Sequence, residues 1–130
     1  MIKKIPQTSI IIAYYKKKQF FEETINSILN QTYSNFEVIL VYDDVDRGEL
    51  NFVIKILSRL PSYKIIINKK NIGAGLSRNK AIYFAKGQYI AFCDADDLWH
   101  KKKLEVQITF MKQEKINFSH TSYKIINNFG

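Results

Sequence analysis

Cysteine is nearly absent. Cys93 stands alone, so no disulfide can close within the chain, and a fold must rest on its hydrophobic core. A lone thiol inside an apolar run behaves as a small buried hydrophobe and fits a reducing compartment. Proline occurs twice and glycine five times in 130 residues, which excludes collagen-like and low-complexity chains. No apolar run approaches the ~20 residues needed to span a bilayer. Met1 to Thr8 is too short and polar for a signal peptide, so a cytoplasmic location is expected. Acids are the minority, 12 against 20 basic residues, for a formal net charge of +8. That balance suits an anionic partner such as a nucleotide diphosphate or an anionic membrane face, although a solvated Lys-rich surface produces it equally. The runs Lys16-Lys17-Lys18 and Lys101-Lys102-Lys103 are too short for a nucleic-acid tail, and no nucleic-acid partner is expected.

What is present is a regular alternation. Ser9 to Tyr14 is a β-branched run without charge, the pattern of a strand buried on both faces. Phe20, Phe21, Ile25, Ile28 and Leu29 recur at mostly three- and four-residue intervals and place a helix over Gln19 to Gln31. Phe36 to Tyr42 reads as a second strand. Leu50 to Leu60 reads as a helix closed by Pro61, and Tyr63 to Ile67 as a third strand. A loop at Asn71 to Gly75 precedes a helix over Leu76 to Ala85, which Gly87 terminates as a C-terminal glycine. Gln88 to Cys93 is a fourth strand and Lys101 to Glu114 a last helix. Asn117 to Ile126 has the composition of a fifth strand. Apolar strands alternating with helices imply βαβ units, an α/β fold with a mostly parallel sheet, and one domain over residues 1–130. Right-handed crossovers then bring the carboxyl ends of the strands to one edge, where open α/β sheets bind their ligands.

Acids sit at that edge. Asp43-Asp44 follows the second strand and Asp94-Ala95-Asp96-Asp97 the fourth. Clustered carboxylates repel unless something positive neutralises them. Mg²⁺ or Mn²⁺ is the natural choice, because these hard cations take carboxylate oxygens and bridge to substrate phosphates. Asp94 and Asp96, two apart in an extended segment, project to one side. Asp97 is instead placed to cap the following helix. Gly73 and Gly75 have neither the third glycine nor the Gly-Lys-Ser/Thr of a phosphate loop, and simply permit a turn. Trp99 and Tyr33 read as packing residues, and His100 and His120 as surface or helix-start histidines.

Several segments then line up in order: Ser9-Ile-Ile-Ile-Ala-Tyr-Tyr15, Ser27-Ile-Leu-Asn-Gln-Thr-Tyr33, Phe36-Glu-Val-Ile-Leu-Val-Tyr-Asp-Asp44, Asn71-Ile-Gly, Ser77-Arg-Asn79 and Lys86-Gly-Gln-Tyr-Ile-Ala-Phe-Cys-Asp-Ala-Asp-Asp-Leu-Trp99. Together, from residue 8 to about 107, they resemble the family 2 glycosyltransferases. The resemblance implies a three-layer α/β/α, Rossmann-like GT-A fold, of which this chain is the donor-binding half. It implies a nucleotide-diphosphate sugar as substrate, with uridine the expected base, and a glycan or lipid-linked acceptor in surface polysaccharide biosynthesis. By that analogy Ala13 and Tyr15 lie beside base and ribose, and Asp44 hydrogen-bonds the base while Asp43 assists or caps the turn. Arg78 lines the nucleotide wall, Asp94 meets ribose and metal, and Asp96 meets the metal. The catalytic base of an inverting transfer is expected in the acceptor half, beyond Gly130, and no catalytic residue is assigned within the chain.

The chain departs from the family pattern in places. Tyr14 stands where the family commonly has a smaller residue and is expected to narrow the base pocket. Val45-Asp46 replaces a Gly-Ser that often follows the acid pair, which implies a different turn. Peripheral association of the full-length protein with the inner face of the cell membrane, and a homodimer through an exposed sheet edge, are compatible with this reading. The alternative function is a non-catalytic nucleotide-binding module that lacks the base. A flavodoxin-like receiver would need an acid pair after the first strand, where Tyr14-Tyr15 stands.

Overall fold

A computed structural model describes residues 5–127. Four strands form one sheet: β1 (Thr8–Tyr14), β2 (Phe36–Tyr42), β3 (Tyr63–Ile67) and β4 (Tyr89–Phe92), in the order β3-β2-β1-β4. Every pairing is parallel, with Ile12 opposite Leu40, Ile11 opposite Phe92, and Leu40 opposite Ile65. The central strands β1 and β2 explain the charge-free run of isoleucines, because helices cover both of their faces.

Strand alternation divides those side chains between two cores. Ile10, Ile12, Tyr14, Val38, Leu40 and Tyr42 face α1 (Lys18–Leu29), α2 (Leu50–Leu57) and α4 (Lys103–Glu114), which contribute Phe21, Ile25, Ile28, Val53, Leu57, Leu104 and Ile108. Ile11, Ile39 and Val41 face the other way, against Ala81 of α3 (Ala74–Tyr83). The result is the expected three-layer α/β/α arrangement, with a thin second layer of one helix. That helix does not reach fully over β4, whose Ile90 and Phe92 remain exposed.

The helices sit within a few residues of their expected positions, with three instructive differences. Residues 117–126 form no strand; the segment lies exposed and without ladder partners. Strand-like composition is insufficient where no neighbouring strand accepts the backbone bonds. Gly75 lies inside α3 rather than in the loop before it. Gly87 does not end a helix in the left-handed conformation, since Gly73 is the glycine with positive φ among the described residues. Its requirement is close approach. A Cβ at Gly87 would lie 2.5 Å from the Ser9 amide nitrogen and 2.6 Å from the Thr8 carbonyl carbon. The Gly87 amide donates to Ser9 Oγ at 2.8 Å, and that hydroxyl donates to the buried Glu37 carboxylate at 2.7 Å.

Two outcomes follow from this packing. Gly87→Ala must push against the backbone of a central strand, and chemical denaturation should show a loss of about 1–3 kcal/mol, the usual cost of overpacking. The buried Cys93 thiol, raised well above its ordinary pKa first by burial and then by neighbouring acids, should resist alkylation in the native protein. Its labelling should appear only with global unfolding, which a denaturant series with iodoacetamide would show.

Candidate active site

The end of β2 is built around one buried carboxylate. Asp43 is 2% exposed. Its Oδ1 accepts hydrogen bonds from Asn68 Nδ2 at 2.9 Å and the Ile72 amide at 2.8 Å, and its Oδ2 accepts from the Gly73 amide at 2.8 Å. Asn71 Nδ2 donates to the Asp43 carbonyl at 2.9 Å. Gly73 is the N-cap of α3, with φ 88° and ψ 161°, a conformation that glycine adopts at little cost and other residues resist. Asp43 therefore anchors the 71–73 loop and the start of α3 to the sheet, a compensated buried charge at a helix amino terminus. Asn68, also 2% exposed, extends the network to Ser77 Oγ at 3.2 Å and accepts from Lys80 Nζ at 2.7 Å.

Asp44 follows at the rim, 4% exposed. The turn after it is not the family's Gly-Ser turn. Two side-chain turns replace that motif: the Asp46 amide donates to Asp44 Oδ1 at 3.0 Å, and the Gly48 amide to Asp46 Oδ1 at 2.7 Å. Arg47 closes the turn by donating to the Asp44 carbonyl and, at 2.8 Å, to the Asn68 carbonyl.

The acids after β4 are held by α1. Thr24 Oγ1 donates to the Ala95 carbonyl at 3.1 Å, and the Trp99 amide donates to Ser27 Oγ at 3.2 Å. Gln31 reaches the His100 carbonyl at 2.8 Å through Nε2 and receives the Leu104 amide at 3.1 Å through Oε1. Ala95 points into the core at 3% exposure, so Asp94 and Asp96 on either side of it turn outward. One carboxylate oxygen from each of Asp94, Asp96 and Asp97 lies within 4.8 Å of the others. Such a set of hard oxygen donors fits a Mg²⁺ or Mn²⁺ ion in both chemistry and spacing. Asp97 does not cap α4 as expected. Its amide closes a turn onto the Asp94 carbonyl at 3.1 Å, and α4 starts only after Lys102. Burial, then the charges of Asp94 and Asp96, push its carboxyl pKa upward.

Two cations already face these acids. Lys17 Nζ lies 2.7 Å from Asp96 Oδ2, and the Arg78 guanidinium lies 2.6 Å from Asp94 Oδ1. Repulsion among the carboxylates is thus relieved by the protein itself, and the charge argument alone does not require a metal. The rim is shared across strands. Because β1 lies between β2 and β4, the β1–α1 loop separates Asp44 from Asp96. Lys16 in that loop is held charged by Tyr15 first and then by Asp44, while its neighbour Lys17 pairs with Asp96.

Ala13, Tyr15, Asp44, Arg78, Asp94 and Asp96 all lie at the carboxyl-end rim, with Tyr15 46% exposed and Ala13 half-buried. Asp43 lies just beneath it. Tyr14 does not narrow a pocket. It is fully buried, with its ring stacked on Tyr42 at 5.4 Å and edge-on to Phe21 at 5.1 Å, and its hydroxyl donates to Glu49 Oε2 at 2.5 Å. Strand alternation sends Tyr14 to the α1 side, away from the face that Ala13 occupies. Tyr33 and Trp99 pack against the main core as expected, and His100 and His120 are exposed. The reading by residue type missed Lys17, Asn68 and the Thr24–Ser27–Gln31 clip. Each is a single polar residue whose partner is remote in sequence, and only the i, i+3, i+7 spacing of the clip on a helix's polar side hinted at a shared role.

Comparison with known proteins agrees with this geometry. The profile of Glycosyl transferase family 2 matches residues 9–129. The chain is 37% identical over 128 residues to a putative teichuronic acid biosynthesis glycosyltransferase, TuaG, of Bacillus subtilis, covering 96% of this chain and 50% of that protein. It is 40% identical over 121 residues to the Escherichia coli UDP-Glc:alpha-D-GlcNAc-diphosphoundecaprenol beta-1,3-glucosyltransferase WfgD, covering 92% and 47%. The crystal structure of S. aureus TarS residues 1–349 in complex with UDP superposes with a TM-score of 0.74 at 28% identity, over 84% of this chain and 33% of that one. The chain spans between 18% and 50% of the length of the curated relatives it matches. A sheet of four parallel strands in the GT-A manner, with ordered motifs from β1 to the Asp94-Ala95-Asp96 rim, places this chain in glycosyl transferase family 2.

Proposed function

We propose that the chain forms the donor-binding half of a glycosyltransferase that moves a sugar from a nucleotide diphosphate, UDP foremost, to a glycan or lipid-linked acceptor in polysaccharide biosynthesis. The observation that supports this reading is that Arg78 of α3 meets Asp94 just beyond β4, at the carboxyl end of the same parallel sheet whose β2 ends in Asp44. The UDP complex of TarS and the diphosphoundecaprenol acceptor in WfgD's name support the donor and acceptor classes. A lipid-linked acceptor would be met at the inner membrane face, and peripheral association of the whole protein there is part of this proposal; no described helix is long and apolar enough to cross a membrane.

The roles follow from what each group can do. Tyr15 offers an exposed ring, and Ala13 a small side chain, beside the place for base and ribose. Asp44, fixed by its turn, accepts hydrogen bonds from the base. Arg78 approaches from α3 and supplies positive charge near the diphosphate. Asp94 accepts from ribose hydroxyls and, with Asp96, holds Mg²⁺ or Mn²⁺. That ion, when bound, neutralises the negative charge that grows on the departing nucleoside diphosphate. The acceptor hydroxyl must lose its proton to a carboxylate. We place that base in the portion of the longer relatives that this chain does not match.

Calorimetry with UDP, with and without Mn²⁺, tests the donor site, and a donor-hydrolysis assay separates a transferase from a nucleotide-holding module. Asp96→Ala should weaken Mn²⁺-dependent UDP binding by about tenfold or more, the scale of one lost charge-assisted contact. Unchanged affinity would remove Asp96 from the metal site.

A further inference from the structure

The β1–α1 loop carries a feature that donor binding by the acids leaves unexplained. Lys16 has φ 49°, one of two non-glycine residues with positive φ among the described residues. Lysine resists this left-handed conformation, and such strain persists only where surrounding contacts impose it. The two consecutive lysines of this loop meet different acids. Lys16 lies over the Tyr15 ring at 5.2 Å and within the field of Asp44 and Asp46. Lys17 pairs with Asp96 Oδ2 at 2.7 Å from the N-cap position of α1. An ordinary helix start favours an acid, and α1 has none in its first turn.

From this we infer that Lys17 is an exchangeable counter-ion of the donor site: it holds Asp96 while the site is free, yields it to the divalent cation, and then neutralises the nucleotide's diphosphate. The inference rests on the donor-site reading above and adds a residue and a sequence of partners to it. The pair suits exchange because both side chains are partly exposed, at 43% and 34%, so water can replace either partner without leaving a buried charge. Arg78 with Asp94 repeats the arrangement from the opposite side, from α3. A site so neutralised keeps its carboxylates aimed at a common point, within 4.8 Å, without collapse or splaying in the absence of the ion. The exchange costs metal affinity and returns it as nucleotide affinity, so metal and nucleotide bind cooperatively. Lys17 is therefore a positioning residue for the empty site and a binding residue in the loaded one.

Removing Lys17 should move the two affinities in opposite directions, which neither a purely structural lysine nor a simple phosphate contact would do. Mn²⁺ binding to Lys17→Met, measured by calorimetry without nucleotide, should tighten about two- to fivefold, the competition expected of a partly exposed ion pair. UDP binding at saturating Mn²⁺ should weaken about tenfold. Lys17→Arg should preserve both wild-type values, and Lys112→Met, which makes the same change in net charge on α4, should alter neither. In the wild-type protein, side-chain NMR should show the Lys17 ammonium shifting when Mg²⁺ alone is added and again when UDP follows, a readout independent of any variant's folding. Unchanged or weaker Mn²⁺ binding to Lys17→Met, or a Lys17 signal indifferent to Mg²⁺, would overturn the exchange. If the wild-type protein binds neither Mn²⁺ nor UDP, the donor-site reading falls and takes this inference with it.

Discussion

The rim of this domain depends on the compensated burial of Asp43. A carboxylate at 2% exposure needs donors for its oxygens, and Asn68 together with the amides of Ile72 and Gly73 supply them. Those bonds join the end of β2 to the loop before α3, and α3 carries Arg78 toward Asp94. The geometry of the outward-facing charges is thus inherited from an inward-facing one. Asp43 shapes the site from beneath, and its neighbour Asp44 is left for the rim.

The same division of labour recurs at β4. Ala95 turns into the core, Thr24 and Ser27 of α1 and Gln31 just after it grip the backbone from residue 95 to residue 104, and Asp94 and Asp96 are left facing outward. Hydrogen-bonded backbone beneath partly exposed charges suits a site that must hold an ion and a diphosphate and later release the product. Lys17 and Arg78 then stand as occupants of the same carboxylates before any ligand arrives. Repulsion among acids, which first suggested a metal, is answered within the chain. What favours an ion is the donor set: three oxygens in close range, on a rim shared with Asp44.

The chain's overall basicity acquires a more local meaning in this light. Most of its lysines are spread over the surface, but Lys16 and Lys17 share the β1–α1 loop between the two acid groups, where Lys16 feels Asp44 and Lys17 pairs with Asp96. In a donor site the useful quantity is the order in which cations and anions meet, and net charge does not report it.

Periodicity and residue type alone were enough to determine the α/β class, the four strands, the four helices and the identity of the rim acids. Hydrophobic spacing reflects burial directly, and an acid pair after an apolar strand marks its carboxyl end. Tertiary structure decided the rest, because those outcomes depend on partners remote in sequence. Residues 117–126 have strand-like composition and no neighbouring strand to pair with. Gly87 is needed for its contact with Thr8 and Ser9 rather than for a helix end. Tyr14 lies in the core because strand alternation sends it there, and Asp97 closes a tight turn onto Asp94 instead of capping α4, whose N-cap is Lys102. Lys17 found Asp96 across 79 positions. A hydrogen bond or ion pair between such distant residues leaves no periodic trace in the chain, and only folding brings its two ends together.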